Sequence, residues 1–206
     1  MNNFVKKIVN KLLKKLMVSH IRTNEPVIYL TFDDGPEVGI TEFILDELKK
    51  YNFKGTFFCR GDNAMNNETL MRRIVAEGHD LANHTFSHFH SYRTNSKTYV
   101  ADVNKVDSII NTNLFRPPYG SITLLQYLKL RKRYKFIIWD LDSGDSKLEG
   151  FSLNKEFSNL KNKTSPGNIV LFHFCKRHEK ETRQILPLYL EFLKQENYAT
   201  STISVK

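Results

Sequence analysis

The chain has 206 residues, room for one domain of α/β-barrel size and not for a second catalytic unit. Hydrophobic residues make up 40% and charged residues 26%, and no apolar run approaches the roughly 18 residues that cross a bilayer, which excludes collagen-like, largely disordered and membrane-spanning chains. The formal charge of +9 is lopsided: Lys6, Lys7, Lys11, Lys14, Lys15 and Arg22, with no acid among residues 1–22, supply +6 of it and leave a mildly basic body without a helix-turn-helix, zinc-finger or RNP pattern, so nucleic acid is not an expected partner.

In chain order, residues 1–24 come first. Phe4, Val5, Ile8, Val9, Leu12, Leu13, Leu16 and Met17 recur at helical spacing with lysines between them, which predicts a basic amphipathic helix. Lysines break every apolar stretch before a small-residue cleavage site appears, so this is not a convincing secretory signal. Packing on the domain and reversible contact of residues 4–17 with a membrane surface are both open to such a helix. From Glu25 onward, β-rich runs alternate with helix-like stretches. Strands are predicted at Val27–Phe32, Gly55–Cys59, Asp80–Ala82, Leu114–Phe115, Lys135–Trp139, Ile169–Phe174 and Tyr198–Ile203. Helices are predicted near 41–51, 67–77, 96–110, 121–131, 153–162 and 180–196. Alternation of this kind means parallel strands with helical crossovers, in a barrel or a doubly wound sheet, and places a site at the carboxyl ends of the strands.

Polar clusters stand at those ends. The first strand runs into Asp33-Asp34-Gly35-Pro36, where a turn can bring both acids to one site; alone, such a sequence is also an ordinary solvated turn. His84 and His88 follow the third strand at a spacing that suits two metal ligands if a helical turn intervenes, although a lone His-x-x-x-His is often incidental. Arg116-Pro117-Pro118-Tyr119-Gly120 is a rigid loop with a permanent charge. Three acids, Asp140, Asp142 and Asp145, gather after the fifth strand, and His173 ends an apolar sixth. Cys59 and Cys175 form neither a disulfide framework nor a Cys-x-x-Cys pair, so a metal is expected to use His and carboxylates.

These motifs resemble those of the polysaccharide deacetylases of carbohydrate esterase family 4, the NodB-homology domain, over about residues 27–203. Thr31-Phe32-Asp33-Asp34-Gly35-Pro36 is similar to the first family motif, His84-Thr85-Phe86-Ser87-His88 to the second, Arg116-Pro117-Pro118-Tyr119-Gly120 to the third and Leu171-Phe172-His173 to the fifth. The resemblance implies a distorted (β/α)7 barrel as a single catalytic domain over residues 25–206, and removal of N-acetyl, or occasionally O-acetyl, groups from glycans such as peptidoglycan or chitin oligomers. It makes Asp34, His84 and His88 ligands of a divalent metal, most often Zn²⁺, with Co²⁺, Ni²⁺ or Mn²⁺ as alternatives. By the same resemblance, Asp33 would be general base and His173 general acid. Arg116 would hold Asp33, Asp142 would pair with His173, the Tyr119 backbone N–H would bind the oxyanion, and Leu171 would line the acetyl-methyl pocket.

Amide hydrolysis independently needs three devices of this kind: an activated water, a charge-stabilised carbonyl oxygen and a proton for the amine. Two positions depart from the family pattern. Ser146 stands where an aromatic residue usually follows the fourth motif, and Phe174 stands where an acid commonly follows the final histidine. The first weakens one groove wall, for which Trp139, Phe86, Phe89 or Tyr119 could compensate. A glycan-binding protein on a degenerate scaffold and an amidase acting on a non-sugar substrate are the competing functions. The expected state is a monomer in the cytoplasm or on the cytoplasmic face of the membrane, where a lipid-linked glycan precursor could be met.

Overall fold

The apolar run after residue 26 becomes strand β1 (Val27–Asp33) at the centre of the sheet, in a computed structural model that describes residues 8, 11–147 and 149–204. Its last four side chains are all buried, as a parallel strand covered on both faces requires. Around it, in chain order, come α1 (Ile40–Lys50), β2 (Gly55–Cys59), α2 (Gly61–Asn66), α3 (Glu68–Ala76), β3 (Asp80–Asn83) and α4 (Ser96–Lys105). Then follow β4 (Leu114–Phe115), α5 (Leu124–Leu130), β5 (Lys135–Phe136), β6 (Leu141–Asp142), α6 (Leu153–Lys163), β7 (Ile169–His173), α7 (Glu179–Gln195) and β8 (Ala199–Thr200). The main path of the sheet runs β5-β4-β3-β2-β1-β7-β6, every pair parallel, and β8 adds to the start of β1. This is the curled parallel sheet of a distorted (β/α)7 barrel.

Each predicted strand overlaps a real one, but the fifth is cut to its first two residues and a further strand, β6, follows beyond its predicted end at Trp139. Residues 135–136 pair with β4 and residues 141–142 with β7, so one stretch of chain supplies both ends of the path. Asp140 explains the break: its Oδ1 accepts from the Ile169 N–H at 2.9 Å, doing with a side chain what a strand carbonyl would do. Helix α5 begins later than expected because Thr123 and Gln126 form a reciprocal cap at its start. Helix α2 was not anticipated.

The helices pack by their apolar stripes. On α7, Ile185, Leu186, Tyr189, Leu190 and Leu193 share one fully buried face and join Ile28, Leu30, Phe32, Phe172 and α1 in the largest core cluster. Each such aliphatic side chain contributes about 1.5–3 kcal/mol on burial.

Of the predicted N-terminal helix, Phe4, Val5 and Val9 lie outside the described residues, while residues 11–14 are helical. Leu13 and Met17 enter a second core cluster with Tyr99, Phe115 and Phe136. Beyond them the chain runs on as a strap. The Val18 N–H donates to Phe136 O at 2.8 Å, Val18 O accepts from Ile138 N at 2.8 Å, and Ile21 N donates to Gly167 O at 2.9 Å. His20 Nδ1 meets Asp140 Oδ2 at 2.7 Å. Hydrogen bonds therefore cross the expected boundary at residue 24. Gly167 has φ +88°, and a Cβ there would lie 2.0 Å from Ile21 O, so the strap fits only against glycine.

Candidate active site

Strand alternation should send Asp33 and Asp34 to opposite faces. Asp34 escapes this by taking φ +84°, and both carboxyls line the same cleft. Left-handed backbone at a non-glycine residue costs on the order of 1–3 kcal/mol. Thr85, His88 and Tyr119, at φ +64°, +55° and +60°, repeat it; His88 and Tyr119 line the same cleft, and Thr85 is buried in the loop between the two histidines.

The loop from His84 to His88 is not the helical turn that the spacing suggested. It is held by hydrogen bonds: Thr85 N to Asn83 Oδ1 (2.8 Å), Phe86 N and Ser87 N to Asp102 Oδ2 (both 3.0 Å), and His88 N to Thr85 Oγ1 (2.9 Å). The two imidazoles still meet, with ring centroids 5.1 Å apart. His84 Nδ1 lies 2.8 Å from Arg116 O, which fixes its proton on that nitrogen and leaves Nε2 as a lone-pair donor. His84 Nε2 is 3.3 Å and His88 Nε2 3.0 Å from Asp34 Oδ1. That oxygen is buried and has no hydrogen-bond partner among the described residues, and the three ligand atoms lie within 4.8 Å of one another. Two imidazoles converging on an orphaned carboxylate oxygen is a donor set that fits a divalent ion and leaves coordination positions open. Burial would raise the Asp34 carboxyl, but the two histidines outweigh it and hold the group well below the usual carboxylate range.

Arg116 is 0% exposed. Its Nη1 donates to Asp33 Oδ1 at 2.6 Å and to Thr31 Oγ1 at 2.9 Å, and its guanidinium lies 4.0 Å from the centroid of the Phe58 ring. Burial pushes the guanidinium down while Asp33 opposes it. One oxygen of Asp33 is thus committed to Arg116. Its Oδ2 lies 3.9 Å from His84 Nε2.

His173 pairs with Asp145, not with Asp142. His173 Nδ1 is 2.8 Å from Asp145 Oδ1, the His173 N–H donates to Asp145 Oδ2 at 2.7 Å, and Thr182 Oγ1 donates to the same oxygen at 2.9 Å. Asp142 ends β6 as an exposed residue, and its Oδ1 accepts from Gly144 N at 2.8 Å. Gly144, at φ +77°, then reverses the chain and delivers Asp145 to the interior at 0% exposure. Burial disfavours the charge on both partners, yet their mutual attraction dominates. His173 is pushed up to about 9, and Asp145 is lowered.

The cleft encloses about 500 Å³. Leu171, buried, and Tyr119, exposed, line it, the Tyr119 ring edge-on to His88 and stacked on His90. Trp139 lines the wall near Ser146, whereas Phe86 and Phe89 are not among the lining residues. Sequence reasoning missed Glu37, Arg60, Cys175, Arg177 and His178, which also line the cleft. The last three follow β7 within five residues of His173, and that position was the available signal.

A family model described as polysaccharide deacetylase matches residues 20–135. The chain is 37% identical over 158 residues to a peptidoglycan-N-acetylglucosamine deacetylase of Bacillus cereus, a match covering 73% of this chain and 56% of that protein. It is 31% identical over 210 residues to the peptidoglycan-N-acetylmuramic acid deacetylase PdaA of Bacillus subtilis, covering 96% of this chain and 78% of the relative. Among solved structures, peptidoglycan deacetylase PdaC from Bacillus subtilis superposes with a TM-score of 0.78 at 28% identity, covering 89% of this chain and 90% of that one. A peptidoglycan N-acetylglucosamine deacetylase in complex with an N-oxidanyl-benzamide superposes with a TM-score of 0.81 at 27% identity over 94% of both chains. The order of the motifs, the curled parallel sheet and these matches agree, and the chain belongs to the polysaccharide deacetylase family.

Proposed function

We propose that the chain is a divalent-metal-dependent hydrolase that removes N-acetyl groups from N-acetylhexosamine residues of a peptidoglycan-type glycan and releases acetate. One observation carries this reading: the Asp34, His84 and His88 ligand set, a half-committed Asp33 and His173, held from behind by the buried Asp145, line a single cleft. The named activities of the Bacillus relatives point to the substrate class.

Two imidazoles and one carboxylate suit Zn²⁺ best. When bound, the ion supplies Lewis acidity, lowering the pKa of a water and polarising the acetyl carbonyl. Asp33 Oδ2 takes the proton of the attacking water, because Oδ1 is held by an arginine that has no room to move. His173, protonated below about 9 and with Nδ1 bound to Asp145, gives a proton from Nε2 to the departing amine. The Tyr119 N–H steadies the carbonyl oxygen as charge gathers on it, and Leu171 receives the acetyl methyl. Trp139 and Tyr119 offer apolar faces to the sugar where Ser146 does not.

The test is acetate release from N-acetylated oligosaccharides and peptidoglycan by zinc-loaded protein. Asp33→Asn and His173→Ala should keep the metal and lose on the order of 10²-fold or more in turnover. Normal deacetylation by either variant would overturn the roles. Competition by a simple acetamide in place of the glycan would favour an amidase on non-sugar substrates.

We also propose that Leu12 and Leu16, exposed beside Lys11 and Lys15, rest on an anionic membrane surface where a lipid-linked glycan is met. Leu12→Ser with Leu16→Ser should abolish liposome binding; undiminished binding rules the contact out.

A further inference from the structure

A second group of ligand atoms opens from the far side of the Asp34 carboxylate. Asp34, Cys175 and His178 offer a carboxylate oxygen, a thiol and a ring nitrogen that all lie within 4.8 Å of one another. The two oxygens of Asp34 face different neighbours: Oδ1 looks toward His84 and His88, while Oδ2 lies 4.0 Å from Cys175 Sγ. A carboxylate so placed has one oxygen for each group of ligand atoms.

Local structure brings the other two together. Cys175 caps a single 3₁₀ turn over Lys176–His178, and in that geometry residues three apart eclipse, so the cysteine and histidine of Cys-x-x-His fall on one side. His178 is 7% exposed, and its Nδ1 is buried without a hydrogen-bond partner among the described residues. An unpaired buried ring nitrogen ordinarily costs about 1–3 kcal/mol, so its retention beside a thiol and a carboxylate needs a reason.

We propose that Asp34, Cys175 and His178 form a second, thiolate-containing site for a Zn²⁺-class ion, bridged through Asp34 to the first, and that filling it inhibits the enzyme. The proposal rests on the first ligand set being a metal site, since it makes Asp34 common to both. Thiolate and imidazole select zinc, cobalt or cadmium over magnesium or calcium. Inhibition follows from position. The His178 ring lies 4.8 Å from the His173 ring, and Cys175 and His178 both line the cleft that would receive the acetyl group. An ion there draws on the carboxylate that the first ion needs and crowds the proton donor. Excess zinc would thereby restrain hydrolysis by the full protein.

Metal-free protein titrated with Co²⁺ tests this. Wild type should bind two equivalents, the second accompanied by a near-ultraviolet thiolate-to-cobalt charge-transfer band. Cys175→Ser and His178→Gln should bind one equivalent without that band, and His84→Ala should lower the stoichiometry while keeping the band. With Zn²⁺, wild-type turnover should fall several-fold beyond the first equivalent, and Cys175→Ser should show no such fall. One equivalent in wild type with no thiolate band would overturn the second site and leave the first intact, as would a band that survives Cys175→Ser. Cys175→Ser binding no metal at all would instead overturn the first ligand set, and the proposal with it.

Discussion

Asp145→Asn separates the proposed acid from its electrostatic support with little change of shape. Asparagine keeps an oxygen for the His173 N–H and the Thr182 hydroxyl, so the fold should survive. What it lacks is the main charge that lifts His173 to about 9; with only the more weakly acting Asp34 and Asp33 left to oppose burial, the imidazole falls back toward its ordinary 6.5. At about pH 8 a group titrating at about 9 is roughly nine-tenths protonated, and one at 6.5 about 3%. The fraction of enzyme carrying the departing proton therefore falls by as much as about 30-fold, and the alkaline limb of turnover shifts from about 9 toward neutrality. Acetate release by zinc-loaded protein across the pH range measures both. Asp142→Asn is the control, because asparagine can still accept from Gly144 N, and it should leave the limb in place. A limb near 9 in Asp145→Asn, or a displaced one in Asp142→Asn, would refute the pairing.

The other predictions concern stability. Arg116→Ala leaves Asp33 buried without its counter-charge and should cost about 3–5 kcal/mol in urea unfolding; a cost under about 1 kcal/mol would show that the pair is not the buried interaction described. His79 is buried, its Nδ1 accepts from Gly55 N at 3.2 Å, and burial followed by Lys54 pushes it down to about 4. Above about 6.5 it contributes no pH dependence. As pH falls from 6.5 toward 4 the unfolded chain takes a proton that the native ring refuses, so stability should decline by up to about 3 kcal/mol. His79→Gln should flatten that slope in urea titrations, and parallel slopes in the two proteins would refute the assignment. Gly167→Ala forces a left-handed alanine and a Cβ against Ile21 O, which should cost at least about 2 kcal/mol and lower the melting temperature by roughly 5 °C; an unchanged melt would mean that the strap is not held there.

The residues that do the proposed chemistry were legible because strand ends in an α/β sheet gather polar groups into one place, and Asp33, Asp34, His84, Arg116 and His173 each sit just there. What was not legible depended on backbone torsions. Asp145 displaces Asp142 through a single left-handed glycine, and His84 and His88 converge through two left-handed residues where helical spacing implied a turn of helix. The fifth strand was misjudged for a different reason. Lys135–Trp139 has β propensity throughout, yet the carboxylate of Asp140 takes over a ladder bond and splits the pairing between two neighbours. Cys175 and His178 escaped notice because thiol sites were sought as Cys-x-x-Cys, while the Cys-x-x-His spacing was present in the chain.

The strap also carries a consequence for biosynthesis. Val18 and His20 are made before their partners at Ile137, Asp140 and Asn168, the His20–Asp140 contact spanning 120 positions. Closure of such long loops is entropically slow, and nascent domains acquire structure from the N-terminus onward. The strap is thus made before, and stitched in only after, the strands that hold it. Until then Leu13 and Met17 lack the core partners that bury them in the finished fold.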